Sequence, residues 1–360
     1  MNAITIGLDI AKSVFQVHGE DASGRIIVQK RLRRSQVEAF FAGLPPARIG
    51  IEACGSSHHW GRTLRAHGHE VRLIPAAYVK PFVRRNKTDA RDAAAICAAL
   101  GRPDMRFVAI KSVEQQAARG LERSRELLVK QHTQLRNGVR SQLAEFGIVA
   151  AQGERGFAEL AASLKAGDAA IPPLLARALC TLVQQIEALR ASITALEKQI
   201  MAVAREHPVM RRLAGIPGVG GITAHAVVAA IGDGRQFHSA RDFAAWAGLT
   251  PRQHASAGKR CDRGISRQGD SRLRKLFALG ASTIMRNARS RTDRATLWQR
   301  GILARRPMKV AVLAQAAKTA RIAWAVLVSG KPYQANRPAA AQSAVDNAAA
   351  FPTAATTTAP

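Results

Sequence analysis

Two short apolar runs near the start of the chain each end in a carboxylate, and this pairing constrains the fold more than any other feature. Ile4-Thr5-Ile6-Gly7-Leu8 runs into Asp9, and Arg48-Ile49-Gly50-Ile51 runs into Glu52. Each reads as a buried strand with an acid at its tip. A second pair of acids lies in Lys87-Thr88-Asp89-Ala90-Arg91-Asp92-Ala93-Ala94-Ala95-Ile96. This alanine-rich stretch is predicted to be helical, and a spacing of three puts Asp89 and Asp92 on one face. Four carboxylates brought together repel one another unless cations neutralise them. Hard divalent ions such as Mg²⁺ or Mn²⁺ take oxygen ligands of this kind. Two of them clamp the attacking and leaving oxygens of a phosphodiester.

The intervening pattern supplies a scaffold. Residues 3–31 alternate apolar and polar around a turn at Asp21-Ala22-Ser23-Gly24, which predicts a three-stranded meander. A helix over about 35–42, the strand at 48–53, a helix at about 57–67, a strand at Val71-Arg72-Leu73-Ile74 and the Asp89/Asp92 helix follow. The order β-β-β-α-β-α-β-α is that of an RNase H-like α/β fold. Its first and fourth strands end side by side, which predicts that Asp9 and Glu52 meet.

Charge narrows the partner. The 360 residues carry 54 Lys and Arg against 25 Asp and Glu, a formal net charge of +29. This points to a polyanion, with nucleic acid first. No stretch reaches about 18 consecutive apolar residues, and Ile322 to Val328 is too short to span a bilayer. The N-terminus lacks the basic region of a signal peptide, so a cytoplasmic protein is expected. Cys54, Cys97, Cys180 and Cys261 form no CxxC pair and are expected to be reduced thiols. His58, His59, His67 and His69 near Cys54 match no common zinc spacing. Aromatics make up only 5% of the chain, which favours contacts to backbone phosphates over base stacking.

Beyond the acids, residues 113–146 read as one long helix, with Leu121, Leu127, Leu128, Leu135, Val139 and Leu143 at broadly helical intervals. A second runs over about 174–205, with Leu182, Ile186, Leu189, Ile193, Leu196 and Ile200 spaced by three or four. Pairing within one chain and pairing across subunits both fit this pattern. The Ala, Pro and Thr tail beyond about Gln334 reads as disordered.

The C-terminal part is predicted to be mainly helical and to bind phosphate. Leu213-Ala214-Gly215-Ile216-Pro217-Gly218-Val219-Gly220 places a glycine turn between two helical segments, resembling a helix-hairpin-helix. There Gly218 and Gly220 would let backbone N–H groups and a helix N-terminus approach a phosphate. Residues 251–325 hold 18 Lys and Arg against three Asp and no Glu. The densest part of this stretch, Lys259, Arg260, Arg263, Arg267, Arg272, Arg274 and Lys275, is expected to form a phosphate-binding face. Ser256 is expected in a small loop beside Gly258, Lys259 and Arg260, where cations stabilise charge on an attacked phosphate. Ser266 and Ser271 compete for the same role on these grounds.

Taken in order, these motifs resemble the DEDD transposases of the insertion sequence 110 and 1111 group. The elements are Gly7-Leu8-Asp9-Ile10-Ala11-Lys12, Ile51-Glu52-Ala53-Cys54-Gly55 and Lys87-Thr88-Asp89-Ala90-Arg91-Asp92-Ala93, then Gly215-Ile216-Pro217-Gly218-Val219-Gly220, Gly248-Leu249-Thr250-Pro251, Ser256-Ala257-Gly258-Lys259 and Gly264-Ile265-Ser266-Arg267-Gln268-Gly269-Asp270. The resemblance implies a RuvC-like RNase H domain over 1–110, a coiled-coil connector over 111–206, a transposase domain over 207–332 and a tail over 333–360. It makes Asp9, Glu52, Asp89 and Asp92 metal ligands and Ser256 the serine that joins covalently to DNA. It implies action on bacterial nucleoid DNA by a homo-oligomer, a dimer or tetramer. It also implies an element-encoded bridge RNA that pairs with donor and target DNA, so that base pairing carries sequence specificity and the protein grips duplex backbone. Family members often show Ser-Ser-Gly-Gly-Lys around the nucleophile. This chain has Ala255-Ser256-Ala257-Gly258-Lys259, which leaves one serine there. No GxxxxGK[ST] pattern occurs, consistent with chemistry that conserves bond energy and needs no ATP. A junction-resolving nuclease using water, or a non-catalytic DNA-architectural protein, are the rival readings.

Overall fold

The computed structural model describes residues 4–83, 88–168, 170–256, 259–288 and 296–335, with side chains at 253–256 and 259–263 left undescribed. The chain divides into two compact units, Met1–Gln116 and Ala117–Pro360.

The first unit contains β1 (Thr5–Ile10), β2 (Val14–Glu20), β3 (Ile26–Arg33), α1 (Val37–Ala42), β4 (Arg48–Glu52), α2 (Ser57–Ala66), β5 (Glu70–Ile74), α3 (Ala76–Val79) and α4 (Asp89–Leu100). The strands form one sheet in the order β3-β2-β1-β4-β5. β1, β2 and β3 are the antiparallel meander, whose β2–β3 turn is held by Asp21 Oδ1 accepting from the N–H groups of Ser23 and Arg25 at 2.9 and 3.0 Å. Gly24 closes it at φ +82°, a conformation that favours glycine. β4 runs parallel to β1, with Leu8 opposite Ile51, so the two acid-tipped strands end together as the sequence predicts.

The two faces of this sheet carry different chemistry. Ile6, Leu8, Ile49, Ile51, Phe15 and Val17 point to one face and form a core with Phe41, Trp60 and Leu64. The opposite face presents Gly7 and Gly50, because side chains alternate along a strand. Their bareness lets α4 lie directly on the sheet. A Cβ on Gly7 would sit 2.0 Å from the Ala93 carbonyl oxygen, and one on Gly50 would sit 3.1 Å from Ile96 Cγ2.

The second unit begins in the long helix α5 (Val113–Ala144), followed by α6 (Glu154–Ala166) and α7 (Pro173–Glu206). α5 and α7 pair within the chain. Arg125 Nε donates to Glu197 Oε1 at 2.9 Å, while Val139 and Leu143 share a core with Leu179, Val183 and Ile186. Partner numbers fall on one helix as they rise on the other, so the pairing is antiparallel. α6 was not anticipated. It inserts Phe157, Leu160 and Leu164 into the same core, a three-and-four spacing that a periodicity reading can find.

The remainder comprises α8 (Pro208–Ala214), α9 (Gly221–Ile231), α10 (Ala240–Trp246), β6 (Pro251–Ser256), β7 (Lys259–Ile265), α11 (Ser271–Asn287), α12 (Leu297–Arg305) and α13 (Met308–Ser329). Ala316, Ala320, Ala323 and Trp324 of α13 pack with Val227, Phe243 and Phe277. α13 is long and apolar enough to cross a membrane by composition, but its placement in this core explains that hydropathy. The tail foreseen beyond about Gln334 lies, from residue 336 on, outside the described residues.

Candidate functional site

The start of α4 fixes two of the acids. Thr88 is the N-cap, its side chain accepting from the Arg91 N–H, and Asp89 and Asp92 fall in the first turn. There the positive end of the helix favours negative charge. Lys87, which precedes the cap, lies outside the described residues. Asp9 follows Gly7 by two positions on β1 and therefore faces the same side of the sheet as α4. One carboxylate oxygen from each of Asp9, Asp89 and Asp92 lies within 4.8 Å of the others. The donor set, three carboxylates with Asp89 exposed and Asp9 and Asp92 half-buried, suits a hard divalent cation.

Glu52 also faces α4, one position beyond Ile51 on the neighbouring strand. It stands outside the 4.8 Å group. The reason is placement: α4 lies more over β1 and β2 than over β4, so it delivers Asp89 and Asp92 to Asp9. Glu52 is nonetheless near. The Cys54 thiol is held above its ordinary pKa first by desolvation and then by the negative charge of Glu52 and Asp9.

Gly7 makes the cluster possible, since any side chain there displaces α4. Gly7→Ala is expected to destabilise the first unit by about 1–3 kcal/mol, the usual cost of overpacking, and to reduce metal-dependent DNA cleavage more than this loss explains. Urea unfolding beside a cleavage assay at a temperature where the variant is folded checks this; full cleavage would refute it.

In the second unit the expected phosphate-binding residues divide into three groups. Ser256, Lys259, Arg260 and Arg263 lie on a hairpin in which Ser256 pairs with Lys259, Ala255 with Arg260 and Arg252 with Arg263. Ser256 thus ends a strand, where a loop was anticipated. These side chains, with Ala257 and Gly258, lie outside what the structure describes. Arg267, Lys275 and Gly220 are exposed. The third group is turned inward. Gly218, at φ +79°, packs on α11, where an added Cβ would sit 2.7 Å from Ile284 Cδ1 and 3.0 Å from the Gly280 oxygen. Its lack of a side chain therefore also serves helix packing. Arg274 is half-buried and its Nη1 donates to the carbonyls of Ala247 and Gln268 at 3.1 and 3.0 Å.

The same carbonyls mark the base of the hairpin. An added Cβ on Gly248 would sit 2.1 Å from the Gln268 oxygen, and one on Gly269 would sit 1.7 Å from the Trp246 oxygen. The glycine motifs before β6 and after β7 are thus pressed main chain to main chain, tied further by Ser266 N–H to the Thr250 oxygen at 2.9 Å.

Arg272 is turned inward as well. Its side chain is buried in a network that sequence reading missed. Glu122, fully buried on α5, accepts from His225 Nδ1 at 2.7 Å. Its other oxygen lies 3.4 Å from Arg272 Nε and 3.8 Å from Arg119 Nη1. Arg119 Nη2 pairs with Asp270 at 2.9 Å, and Asp270 caps α11 by accepting from the N–H groups of Arg272 and Leu273. Burial lowers the Arg272 pKa, opposed by the charges of Glu122 and Glu126. The network therefore ties α5 and α9 to the helix that leaves the hairpin.

Comparison with known proteins identifies the family. A DEDD transposase model of the IS110 type matches residues 6–148, and a model described as Transposase IS116/IS110/IS902 family matches residues 210–296. The chain is 45% identical over 329 residues to the "Probable family 20 transposase" of Pseudomonas aeruginosa, covering 91% of this chain and 97% of that one. It is 39% identical over 330 residues to the transposase for insertion sequence element IS1111A of Coxiella burnetii, covering 91% of each. Over 69 residues it is 44% identical to the pilin gene-inverting protein of Moraxella bovis, 18% of this chain and 21% of that one. On these matches the chain belongs to the IS110/IS1111 family of insertion-sequence transposases.

Proposed function

We propose that this transposase is an RNA-guided serine recombinase: it cuts and rejoins DNA through a covalent Ser256 intermediate, at a site served by the Asp9, Glu52, Asp89 and Asp92 carboxylates. The observation that carries the reading is the gathering of Asp9, Asp89 and Asp92 oxygens within 4.8 Å, since acids in so basic a chain would otherwise repel its ligand. The sheet order β3-β2-β1-β4-β5 under α4 supports a RuvC-like, RNase H-type first domain. The α8–turn–α9 segment, with Gly220 exposed, supports a helix-hairpin-helix that meets backbone phosphate through that end. We place the domain limits at 1–110, 111–206 and 207–332 and the working protein in an oligomer acting on cytoplasmic nucleoid DNA.

Bound Mg²⁺ ions held by the carboxylates would supply Lewis-acid polarisation of the scissile phosphate. The residues do the rest. Ser256 Oγ forms a bond to phosphorus as the bond to the departing strand breaks, the serine proton leaves, and the departing oxygen ends as a hydroxyl. A hydroxyl of a second DNA end then attacks the phosphoserine and restores the serine, so one phosphodiester is exchanged for another. Lys259, paired with Ser256 in the hairpin register, is suited to offset charge on the attacked phosphate. The Moraxella bovis relative, similar over 69 residues, is named for inverting a gene. An element-encoded bridge RNA would choose the sites, leaving the basic surface to hold backbone.

The test is an adduct. Protein is incubated with Mg²⁺, the RNA flanking its gene and labelled donor and target DNA, then run on a denaturing gel. A protein-linked band present in the wild type and lost in Ser256→Ala is expected. Cleavage without that band would replace this reading with a metal-dependent nuclease using water, which the carboxylate cluster lying wholly in the first unit would then serve alone.

A further inference from the structure

We propose that Arg31 and Arg33, on the edge strand β3, form a cationic rail that holds the DNA strand entering the carboxylate cluster, and that they are positioning residues for cleavage. The proposal rests on the Asp9/Asp89/Asp92 cluster being the cleavage site.

Register carries the inference. Asp9 lies opposite Gln16 on β2, and Gln16 lies opposite Arg31 on β3. Residues directly opposite one another in an antiparallel sheet point to the same face, so Asp9, Gln16 and Arg31 form a row across the α4 face. Arg33, opposite Val14, is the next position of β3 on that face. Strands are spaced by about 4.8 Å, which puts the Arg31 backbone roughly 10 Å from that of Asp9. α4 covers β1, β2 and β4, and Arg31 and Arg33 are exposed beyond it. The neighbouring Lys30 belongs to the other face, where its Nζ lies 5.3 Å from the Phe40 ring centroid.

A strand whose scissile phosphate sits among the acids needs its flanking phosphates held, because the acids themselves repel them. Guanidinium groups two strands from Asp9, on the same face, meet that need and carry no base preference. Basic residues on an edge strand also discourage pairing between sheets. That role is indifferent to face, and the alternation separates the two explanations.

The experiment compares Arg31→Gln/Arg33→Gln with Lys30→Gln, measuring binding of the metal-free protein to a labelled DNA duplex across a salt series. A structured RNA forms the parallel arm. The double variant is expected to weaken DNA binding roughly tenfold and to lower the log–log salt slope by about two, one per lost phosphate contact. With Mg²⁺ present it should raise KM for cleavage with kcat retained at saturating DNA, and Arg31→Lys/Arg33→Lys should restore most of the loss. Lys30→Gln should leave all three readings near wild type. An equal loss per charge in Lys30→Gln, no loss in the double variant, or a loss confined to the RNA arm would each overturn the proposal. Asp9→Asn in the same series separates the two levels of the argument. If that variant still cleaves DNA, the cluster reading has failed, whatever the metal-free binding of the arginine variants shows.

Discussion

Replacing Asp9 by Asn should slow metal-dependent DNA cleavage at least about a thousandfold, which corresponds to about 4 kcal/mol of barrier, while the fold survives. The substitution keeps the shape and one oxygen but removes a full negative charge from a group of three. A hard cation held by carboxylates loses both attraction and a preferred ligand, and its stabilisation of transition-state charge is worth several kcal/mol. Asp9 is half-buried, and a neutral amide there relieves repulsion between acids, so thermal stability should hold or rise slightly. Glu52→Gln should cost less, about tenfold, because Glu52 stands outside the close group. Single-turnover cleavage in Mg²⁺ beside a melting curve measures both. Wild-type cleavage by Asp9→Asn would remove the cluster from the mechanism.

The second large effect concerns stability. Glu122→Ala should destabilise the second unit by about 4 kcal/mol, the scale of a broken buried ion pair, and lower its melting temperature by about 10 °C. Glu122 is fully buried and accepts from His225, itself 1% exposed, with Arg272 and Arg119 beside it. Its removal strands buried cations in a core they cannot leave. Glu122→Gln retains an acceptor for His225 and should lose less. Arg102, in an exposed pair with Asp104, is the control, since Arg102→Ala should change stability by less than about 1 kcal/mol. A Glu122→Ala protein that melts with the wild type would show that the network contributes nothing to the fold.

The first unit was legible in the sequence because its signals are local and periodic. Alternating runs ending at Asp9 and Glu52, and an alanine-rich stretch opening on Asp89 and Asp92, announce strands, a helix and an acidic site. Much of the second unit was not, for two physical reasons. β6 and β7, Pro-Arg-Gln-His-Ala-Ser and Lys-Arg-Cys-Asp-Arg-Gly-Ile, carry almost no apolar alternation, so a hairpin held by main-chain pairing looked like a loop. The partnership of Glu122 with His225 spans 103 positions, and charges joined across such a distance leave no spacing to read. For the same reason Arg272 looked like one more surface cation in a basic stretch, although it is buried.

The seat of α4 on Gly7 also sets when the acidic cluster comes together. Asp89 follows Asp9 by 80 positions, and its carboxylate reaches Asp9 only after the last helix of the sheet unit has docked. A nascent or prematurely terminated chain that ends before that helix exposes Asp9 and Glu52 without the ligands contributed by α4. Translation itself thus withholds the complete carboxylate cluster until α4 has been made and docked, so a chain cut short before α4 is expected to show no metal-dependent cleavage.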